Sequence, residues 1–227
     1  MNRAASILQP ARLRLNGASL AEGLQYLAQR DAELARIFET LGVPPMWERE
    51  PGFPTLIQTI LEQQVSLASA AAAFAKLLAV ASPLTPERFL KLDDALLKAI
   101  GFSRQKIVYG RHLAQSLASG QLDLAALEKM DDGVVKSELM KVKGIGHWTA
   151  DIYLLRALGR PDAWPAGDLA LAIAVEEIKH LPARPAPDQL EALAVAWRPW
   201  RAVAARLLWN YYLNRPTPRK SSGSKAV

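Results

Sequence analysis

The feature that most constrains the fold of this chain is a pair of glycines, Gly144 and Gly146, set between two segments of helical character. Apolar residues recur at roughly helical spacing over residues 134–140 and again over residues 149–158. A glycine can take positive φ without steric cost and lets the main chain approach another surface closely. The sequence therefore predicts a helix–hairpin–helix corner over residues 139–150, with positive φ available to both glycines.

The second helix of this corner is expected to begin at or near Gly146, so that its free N–H groups and positive dipole end face outward. A phosphate suits that position, and Lys141, Lys143 and His147 surround it with donors. The alternative is a tight corner that binds nothing, and a Gly-x-Gly pair alone favours that alternative. A dinucleotide-binding loop fits worse, because Thr149 replaces its third glycine and a helix rather than a strand precedes it.

Basic residues are concentrated in two stretches of the chain. Lysine and arginine outnumber aspartate and glutamate 28 to 22, which gives a formal net charge of +6. Residues 95–122 and 215–227 contain lysine and arginine but no acidic residue. Such stretches are typical of a surface that contacts phosphates. The alternative is a solvated face, and for the second stretch a solvated tail is the favoured explanation.

The chain contains no cysteine. This excludes disulfides, thiolate zinc sites and a cysteine-ligated iron–sulfur cluster, and it is compatible with a reducing cytoplasm. The three histidines, His112, His147 and His180, lie too far apart in sequence for metal-ligand spacing. No segment predicts a membrane span, and the N-terminal segment lacks the apolar stretch of a signal peptide.

Helical periodicity runs through the chain, and no segment shows the sustained alternation with β-branched residues that indicates a strand. The sequence therefore predicts an all-α fold. The predicted helical segments are residues 19–30, 31–41, 54–64, 66–80, 86–91, 93–100, 103–118, 123–129, 131–140, 146–158, 168–178, 187–196 and 199–213.

An isolated carboxylate, Asp168, ends the loop Pro-Ala-Gly-Asp that follows the second helix of the hairpin. Aspartate is favoured here as the N-cap of a helix that starts at Leu169, and capping alone is the favoured explanation from these residues. A cap also fixes a carboxylate near a helix N-terminus, so a structural and a chemical role are compatible. Asp168 is therefore a candidate catalytic residue, with capping as the alternative.

The hairpin and this loop together carry a family resemblance. Residues 143–151, Lys-Gly-Ile-Gly-His-Trp-Thr-Ala-Asp, and residues 165–168 resemble the hairpin and the aspartate loop of helix-hairpin-helix (HhH-GPD) DNA glycosylases. The chain is most similar to the 3-methyladenine DNA glycosylase II group (AlkA-like), over roughly residues 20 to 215. Further stretches that resemble the family are residues 60–67, 101–107 and 197–201.

This resemblance implies an all-α, two-lobed fold with the active-site cleft between the lobes. It places one glycosylase domain at residues 1–218 and a flexible basic tail at residues 219–227. About 50 residues precede Phe53, so the chain resembles a short form without the N-terminal β domain of the long relatives. Relatives that also cut the strand carry a lysine where Trp148 stands, so the resemblance implies a monofunctional enzyme without lyase activity.

The resemblance also assigns roles around the bond that is broken. Asp168 is expected to stabilise the oxocarbenium ion that develops on the sugar and to orient the attacking water. The flipped base is expected to lie against Trp148, Trp209 and Ile152, because a base with a formal positive charge favours aromatic faces. Such a base is already a good leaving group, so no second catalytic acid is expected.

Contacts with DNA are implied at the hairpin and at two helix ends. The wedge residue that fills the gap left by the flipped base is expected at Gln63 or Gln64, where the long form has a leucine. A monovalent cation, Na+ or K+, is expected to bridge the hairpin and a phosphate through the main-chain carbonyls of Met140, Val142 and Ile145; no other cofactor is required. The implied DNA-binding residues are Gln63, Gln64, Lys106, Lys143, Gly144, Gly146, His147 and Thr149.

Two functions remain open from the sequence. The first is a monofunctional DNA glycosylase for alkylated bases in double-stranded DNA, with N3-methyladenine, N7-methylguanine, 1-methyladenine, 3-methylcytosine and etheno adducts as candidate lesions. The second is a DNA-binding module without catalysis. Such a module has no need of a carboxylate beside anionic DNA, so Asp168 and the tryptophans favour the first. We expect a monomer that works on the nucleoid in the cytoplasm.

Overall fold

The computed structural model describes residues 14–215, and that range is helical with no strand. The all-α prediction is confirmed, and the predicted segments agree with the helices to within two residues at each end. Most differences arise because capping residues such as Ser66, Ser103 and Asp168 have extended backbones and precede the first helical residue. The helices are α1 (Gly17–Ala28), α2 (Ala32–Leu41), α3 (Phe53–Glu62), α4 (Leu67–Val80), α5 (Pro86–Leu90), α6 (Asp94–Ile100), α7 (Arg104–Ala118), α8 (Leu124–Leu127), α9 (Asp132–Met140), α10 (His147–Arg156), α11 (Leu169–Ile178), α12 (Pro187–Ala194) and α13 (Arg201–Asn214), with a short 3-10 helix at Val195–Trp197.

The helices pack as two groups. In the terminal lobe, α1, α2 and α11 pack around α13, and α12 packs on α11. In the central lobe, α3 packs on α4, α7 and α10, while α5 and α6 cover α7 and α9 lies beside α10. The hairpin between α9 and α10 thus belongs to the central lobe, and Asp168, at the start of α11, belongs to the terminal lobe.

A buried arginine on α13 joins the two lobes. The guanidinium of Arg206, which is fully buried, donates to the carbonyl of Met46 at 2.9 Å in the connector before α3 and to that of Leu155 at 3.1 Å on α10. Burial, and then repulsion by Arg156, lowers the pKa of Arg206 to about 10. Because a buried cation is costly unless its donors are satisfied, these bonds specify how the connector, α10 and α13 meet.

The same connector is fixed to α10 at two further points. The N–H of Arg49 donates to the carbonyl of Arg156 at 2.9 Å, and the N–H of Gly52 donates to the hydroxyl of Tyr153 at 3.1 Å. The part of the connector from Met46 to Gly52 is therefore fixed to α10 and α13. None of the helices in residues 14–215 has the length and apolar character needed to cross a bilayer. The predicted tail, residues 219–227, and the domain boundary at 218 lie outside the described residues.

Candidate active site

The carboxylate of Asp168 is held by three N–H donors from three helices. One oxygen accepts from the main-chain N–H of Leu171 at 3.1 Å, as an N-cap does, and from the indole N–H of Trp209 at 3.2 Å. The other oxygen accepts from the indole N–H of Trp148 at 2.9 Å. Asp168 therefore caps α11. The two indole hydrogen bonds are not part of a helix cap, and they fix the orientation of the carboxylate as well.

The structure brings together three predicted site residues that are far apart in the sequence. Trp148 lies in the first turn of α10, Asp168 precedes α11 and Trp209 lies on α13. Trp148 is half-buried and Trp209 is only 6% exposed. Ile152, one turn after Trp148, is 2% exposed, and its contact with a base stays a prediction.

A further tryptophan, which the sequence analysis did not assign, stands against Trp209. The edge of the Trp47 ring meets Trp209 at a centroid distance of 6.1 Å and an interplanar angle of 80°. The backbone of Trp47 has a φ of +48°, which is uncommon for a bulky residue. Because such strain persists only when the surroundings enforce it, the connector holds this ring at the edge of the site.

Three charged residues beside this aromatic group form an ion cluster that sequence analysis missed. The carboxylate of Glu62, whose side chain is 6% exposed, accepts from both terminal nitrogens of Arg49. The same carboxylate lies 3.9 Å from a terminal nitrogen of Arg156. The guanidinium of Arg156 in turn stands 5.0 Å from the ring centroid of Trp209. Arg49, Glu62 and Arg156, called the ion cluster below, are thus linked to Asp168 through Trp209.

One sequence signal was available for part of the ion cluster. Trp148, Ile152 and Arg156 are spaced by four residues along α10 and therefore share one helix face. Burial, and then repulsion by Arg49, lowers the pKa of Arg156. No pattern in the sequence indicates that Arg49 and Glu62 meet, since they come from the connector and from the end of α3.

The two glycines of the hairpin serve different purposes. Gly144 has a φ of +95°, and a Cβ added there would lie 2.1 Å from a ring carbon of Tyr109, so the fold itself requires a glycine. Gly146 has a φ of −100° and a ψ of −176°, so the expectation of positive φ is wrong for it. As the N-cap of α10 it has the extended backbone that any residue adopts, and an added Cβ would meet nothing within 4 Å.

Some residues expected to contact DNA face outward and others face inward. Lys143, Gly146 and His147 are exposed around the start of α10. Lys106, in contrast, donates to the carbonyl of Leu61 at 2.7 Å, and burial lowers its pKa. Thr149 is 2% exposed. Lys106 and Thr149 thus support the loop that follows α3 through these bonds, and their contact with DNA stays a prediction.

The loop after α3 is fastened to the hairpin by Gln63. Its side-chain amide donates to the carbonyl of Gly144 at 2.9 Å and to the hydroxyl of Thr149 at 2.9 Å. The side-chain amide of Gln63 is therefore occupied by the hairpin, and the next residue, Gln64, projects from the surface. Gln64 is exposed and has a φ of +57°, and the exposed Val65 follows it.

The proposed cation ligands are main-chain oxygens in the same hairpin. The carbonyl of Val142 accepts from the N–H of Ile145 at 3.0 Å and keeps a second lone pair. Carbonyl oxygens are suitable ligands for Na+ or K+, so the residues fit the expected ion. In the described part of the chain, no three His, Cys, Asp or Glu side chains converge as a metal site would require.

Comparison with known proteins places this geometry among DNA repair proteins. A family model described as "HhH-GPD superfamily base excision DNA repair protein" matches residues 57–199. The DNA-3-methyladenine glycosylase of Bacillus subtilis is 32% identical over 123 residues, which are 54% of this chain and 41% of that protein. The chain thus spans less than half the length of that bacterial relative.

Two matches in Schizosaccharomyces pombe cover more of the chain. DNA-3-methyladenine glycosylase 1 is 29% identical over 168 residues, which are 72% of this chain and 73% of that protein. The structure of the 3-methyladenine DNA glycosylase of the same organism in complex with abasic DNA superposes with a TM-score of 0.81 at 26% identity. That superposition covers 87% of this chain and 100% of the other.

Proposed function

Because the chain belongs to the HhH-GPD superfamily of base excision DNA repair proteins, we propose that it is a monofunctional DNA glycosylase for alkylated bases in double-stranded DNA. The observation that carries the proposal is the carboxylate of Asp168, held by two indole N–H groups where the two lobes meet. A helix cap needs neither indole. The names of its relatives support N3-methyladenine as the first lesion to test.

The proposed chemistry is hydrolysis of the N-glycosidic bond. As the bond breaks, positive charge develops on C1′ and O4′ of the sugar, and the carboxylate of Asp168 stabilises that charge. The same carboxylate orients or deprotonates the attacking water. Its three N–H donors hold it in place before the substrate arrives, so little reorganisation is needed as the reaction proceeds.

The base pocket of this proposal is aromatic. A flipped base enters the space beside Trp148, Trp209 and Trp47, with Ile152 behind them. An alkylated purine with a positive charge interacts favourably with tryptophan faces. Its charge also makes it a good leaving group, which is consistent with a mechanism that uses a single carboxylate.

The hairpin is the proposed binding site for the DNA backbone. The free N–H groups at the start of α10 suit a phosphate oxygen, and Lys143 and His147 flank them. A monovalent cation held by the carbonyls of Met140, Val142 and Ile145 would add positive charge at the same phosphate. Gly146 leaves the space in front of this helix start open.

Gln64 is the proposed wedge. A flipped base leaves a gap in the duplex whose lost stacking costs a few kcal/mol. The side chain of Gln64 can fill that gap and hydrogen-bond the orphaned partner base. The side chain of Gln63 bonds to the hairpin and holds the loop that presents Gln64, which favours Gln64 over Gln63 as the wedge.

The proposal is tested by release of bases from duplexes that each carry one of the five candidate lesions. We expect the wild-type protein to release N3-methyladenine and to leave an intact abasic strand. Asp168→Asn is expected to slow release at least about 100-fold while binding to the lesion duplex survives. The matched control is Asp93→Asn, because Asp93 caps α6 through the N–H of Leu96 and has no indole partner.

Each outcome of this test has a defined meaning. Release at similar rates by the wild type and Asp168→Asn would reject the catalytic assignment. DNA binding without release of any base by the wild type would identify a non-catalytic binding module. Equal loss of folding in Asp168→Asn and Asp93→Asn would assign Asp168 to capping alone.

A further inference from the structure

The ion cluster of Arg49, Glu62 and Arg156 has no role in the chemistry proposed above, yet it lies beside the base pocket. Glu62 is the last residue of α3 and directly precedes the loop with Gln63 and Gln64. Its carboxylate is buried against two guanidinium groups. Burying three charges together is costly, and a plain apolar contact would join α3, the connector and α10 at lower cost. We therefore expect a function for the charges of these three residues, rather than for their packing.

The cluster affects a base according to the charge of that base. N7-methylguanine carries a positive charge while it is bonded to the sugar, whereas 1,N6-ethenoadenine is neutral. The guanidinium of Arg156 already stands 5.0 Å from the ring centroid of Trp209. A cationic base stacked beside Trp209 is therefore repelled by Arg156 and, at longer range, by Arg49, and this repulsion is strong in a partly desolvated site.

The buried carboxylate of Glu62 opposes that repulsion. It compensates one of the two positive charges, and Asp168 compensates the other. The binding of a neutral base depends little on this balance of charges. Burial, and then repulsion by Arg49, lowers the pKa of Arg156. This direction is consistent with two guanidinium groups that share the single carboxylate of Glu62.

We propose that Glu62 is a specificity-determining residue, whose buried negative charge allows the pocket to accept cationic alkylated bases beside Arg49 and Arg156. This inference rests on the proposed glycosylase function of the same pocket. It concerns the class of base that is accepted, and it assigns Glu62 no contact with the sugar or with the attacking water.

The test compares one cationic and one neutral lesion in the same protein. The measured quantity is the ratio of kcat/KM for N7-methylguanine to kcat/KM for 1,N6-ethenoadenine in otherwise identical duplexes. Glu62→Gln keeps the size of the side chain and removes the charge, and we expect the ratio to fall about tenfold, which corresponds to about 1.4 kcal/mol. Where one lesion is cut too slowly to measure, the ratio of the two Kd values is compared between proteins that all retain Asp168, because Asp168 itself contributes to the charge balance at Arg156.

Two companion variants separate charge from structure. Arg49→Gln removes one cation, so we expect the ratio to rise at least about threefold, opposite in sign to Glu62→Gln. The double variant restores the net charge of the cluster, and its ratio is expected to return close to the wild-type value. Glu50→Gln is the matched control, because Glu50 is an exposed acid in the same connector and is screened by solvent.

Equal loss of activity on both lesions in Glu62→Gln, with an unchanged ratio, would overturn the proposal and leave Glu62 as structural support. A ratio that falls in both single variants would also overturn it, because the sign would not follow charge. A wild-type protein that releases N3-methyladenine but neither binds nor releases these two lesions would overturn this inference alone. A wild-type protein that releases none of the candidate lesions would reject the proposed function, and this inference would fall with it.

Discussion

A buried acid on the hairpin helix leads to a quantitative prediction about stability. Asp151 lies on α10 with its side chain 7% exposed, and its carboxylate is 2.8 Å from the ammonium of Lys136 on α9. Burial raises the pKa of Asp151 from 3.8 to about 6, and the hydrogen bond and charge of Lys136 offset only part of that effect. The other charged groups that act on it are Glu191, which raises the pKa further, and His147, which lowers it.

The sign of the stability effect follows from proton binding. The folded protein binds the Asp151 proton more tightly than the unfolded chain does, so this group stabilises the fold below pH 4 and loses that contribution as pH rises to 6. At about 1.4 kcal/mol per pH unit, the difference between the two pKa values amounts to about 3 kcal/mol. Asp151→Asn resembles the protonated form, so we expect it to gain up to about 3 kcal/mol in free energy of unfolding at pH 7.5.

The measurement is urea unfolding of the wild type and Asp151→Asn at several pH values between 4 and 8. The difference between their unfolding free energies is expected to grow from pH 4 to 6 and then to stay constant. Because both proteins contain the same other acids, the effect of those acids on the unfolding free energy cancels in this difference. A difference that is independent of pH, or a variant that is less stable at pH 7.5 than at pH 4 relative to the wild type, would refute the argument.

The remaining predictions concern the cleft and its hairpin. Gly146→Ala is expected to keep the melting temperature, because its added Cβ meets nothing within 4 Å, and to weaken binding to damaged and undamaged duplex alike if the proposed phosphate approaches this helix start. Gly144→Ala should lower the melting temperature through its clash with Tyr109. Unchanged DNA affinity in a folded Gly146→Ala protein would mean that the hairpin does not bind a phosphate. Gln64→Ala should slow excision of a paired lesion about tenfold and of a mispaired or single-stranded lesion less, and an equal loss on all three substrates would rule out the wedge. With Trp148 in place of a lysine, no borohydride-trapped protein–DNA adduct should form, and a trapped band would reveal another nucleophilic amine.

Helix positions and the central motif could be predicted from the sequence because they depend on local patterns. The Gly144 turn, the start of α10 and the cap at Asp168 each follow from residues a few positions apart. The meeting of Trp148 and Trp209 at Asp168 was expected only through the family resemblance, since no local pattern brings α10, α11 and α13 together.

The parts that could not be predicted depend on contacts between distant segments. Trp47 reaches Trp209 through a strained connector, and Glu62 meets Arg49 and Arg156 from three separate elements. Lys106 was expected to contact DNA through the family resemblance. Its hydrogen bond to the carbonyl of Leu61 near the end of α3 could not be predicted, because tertiary structure brings the two residues together.

The proposed role of the Asp168 carboxylate in base release can be measured in a single-turnover experiment. A duplex with one N3-methyladenine is mixed with excess wild type, Asp168→Asn or Asp93→Asn, and Kd for the same duplex and the melting temperature are recorded alongside. We expect the single-turnover rate of Asp168→Asn to be at least about 100-fold lower than that of the wild type, in line with loss of one electrostatic stabiliser of a transition state. Its Kd should stay within about threefold of the wild type, because phosphate contacts position the protein. Asp93→Asn should match the wild-type rate. A folded Asp168→Asn protein that releases the base at the wild-type rate would show that this carboxylate does not drive base release.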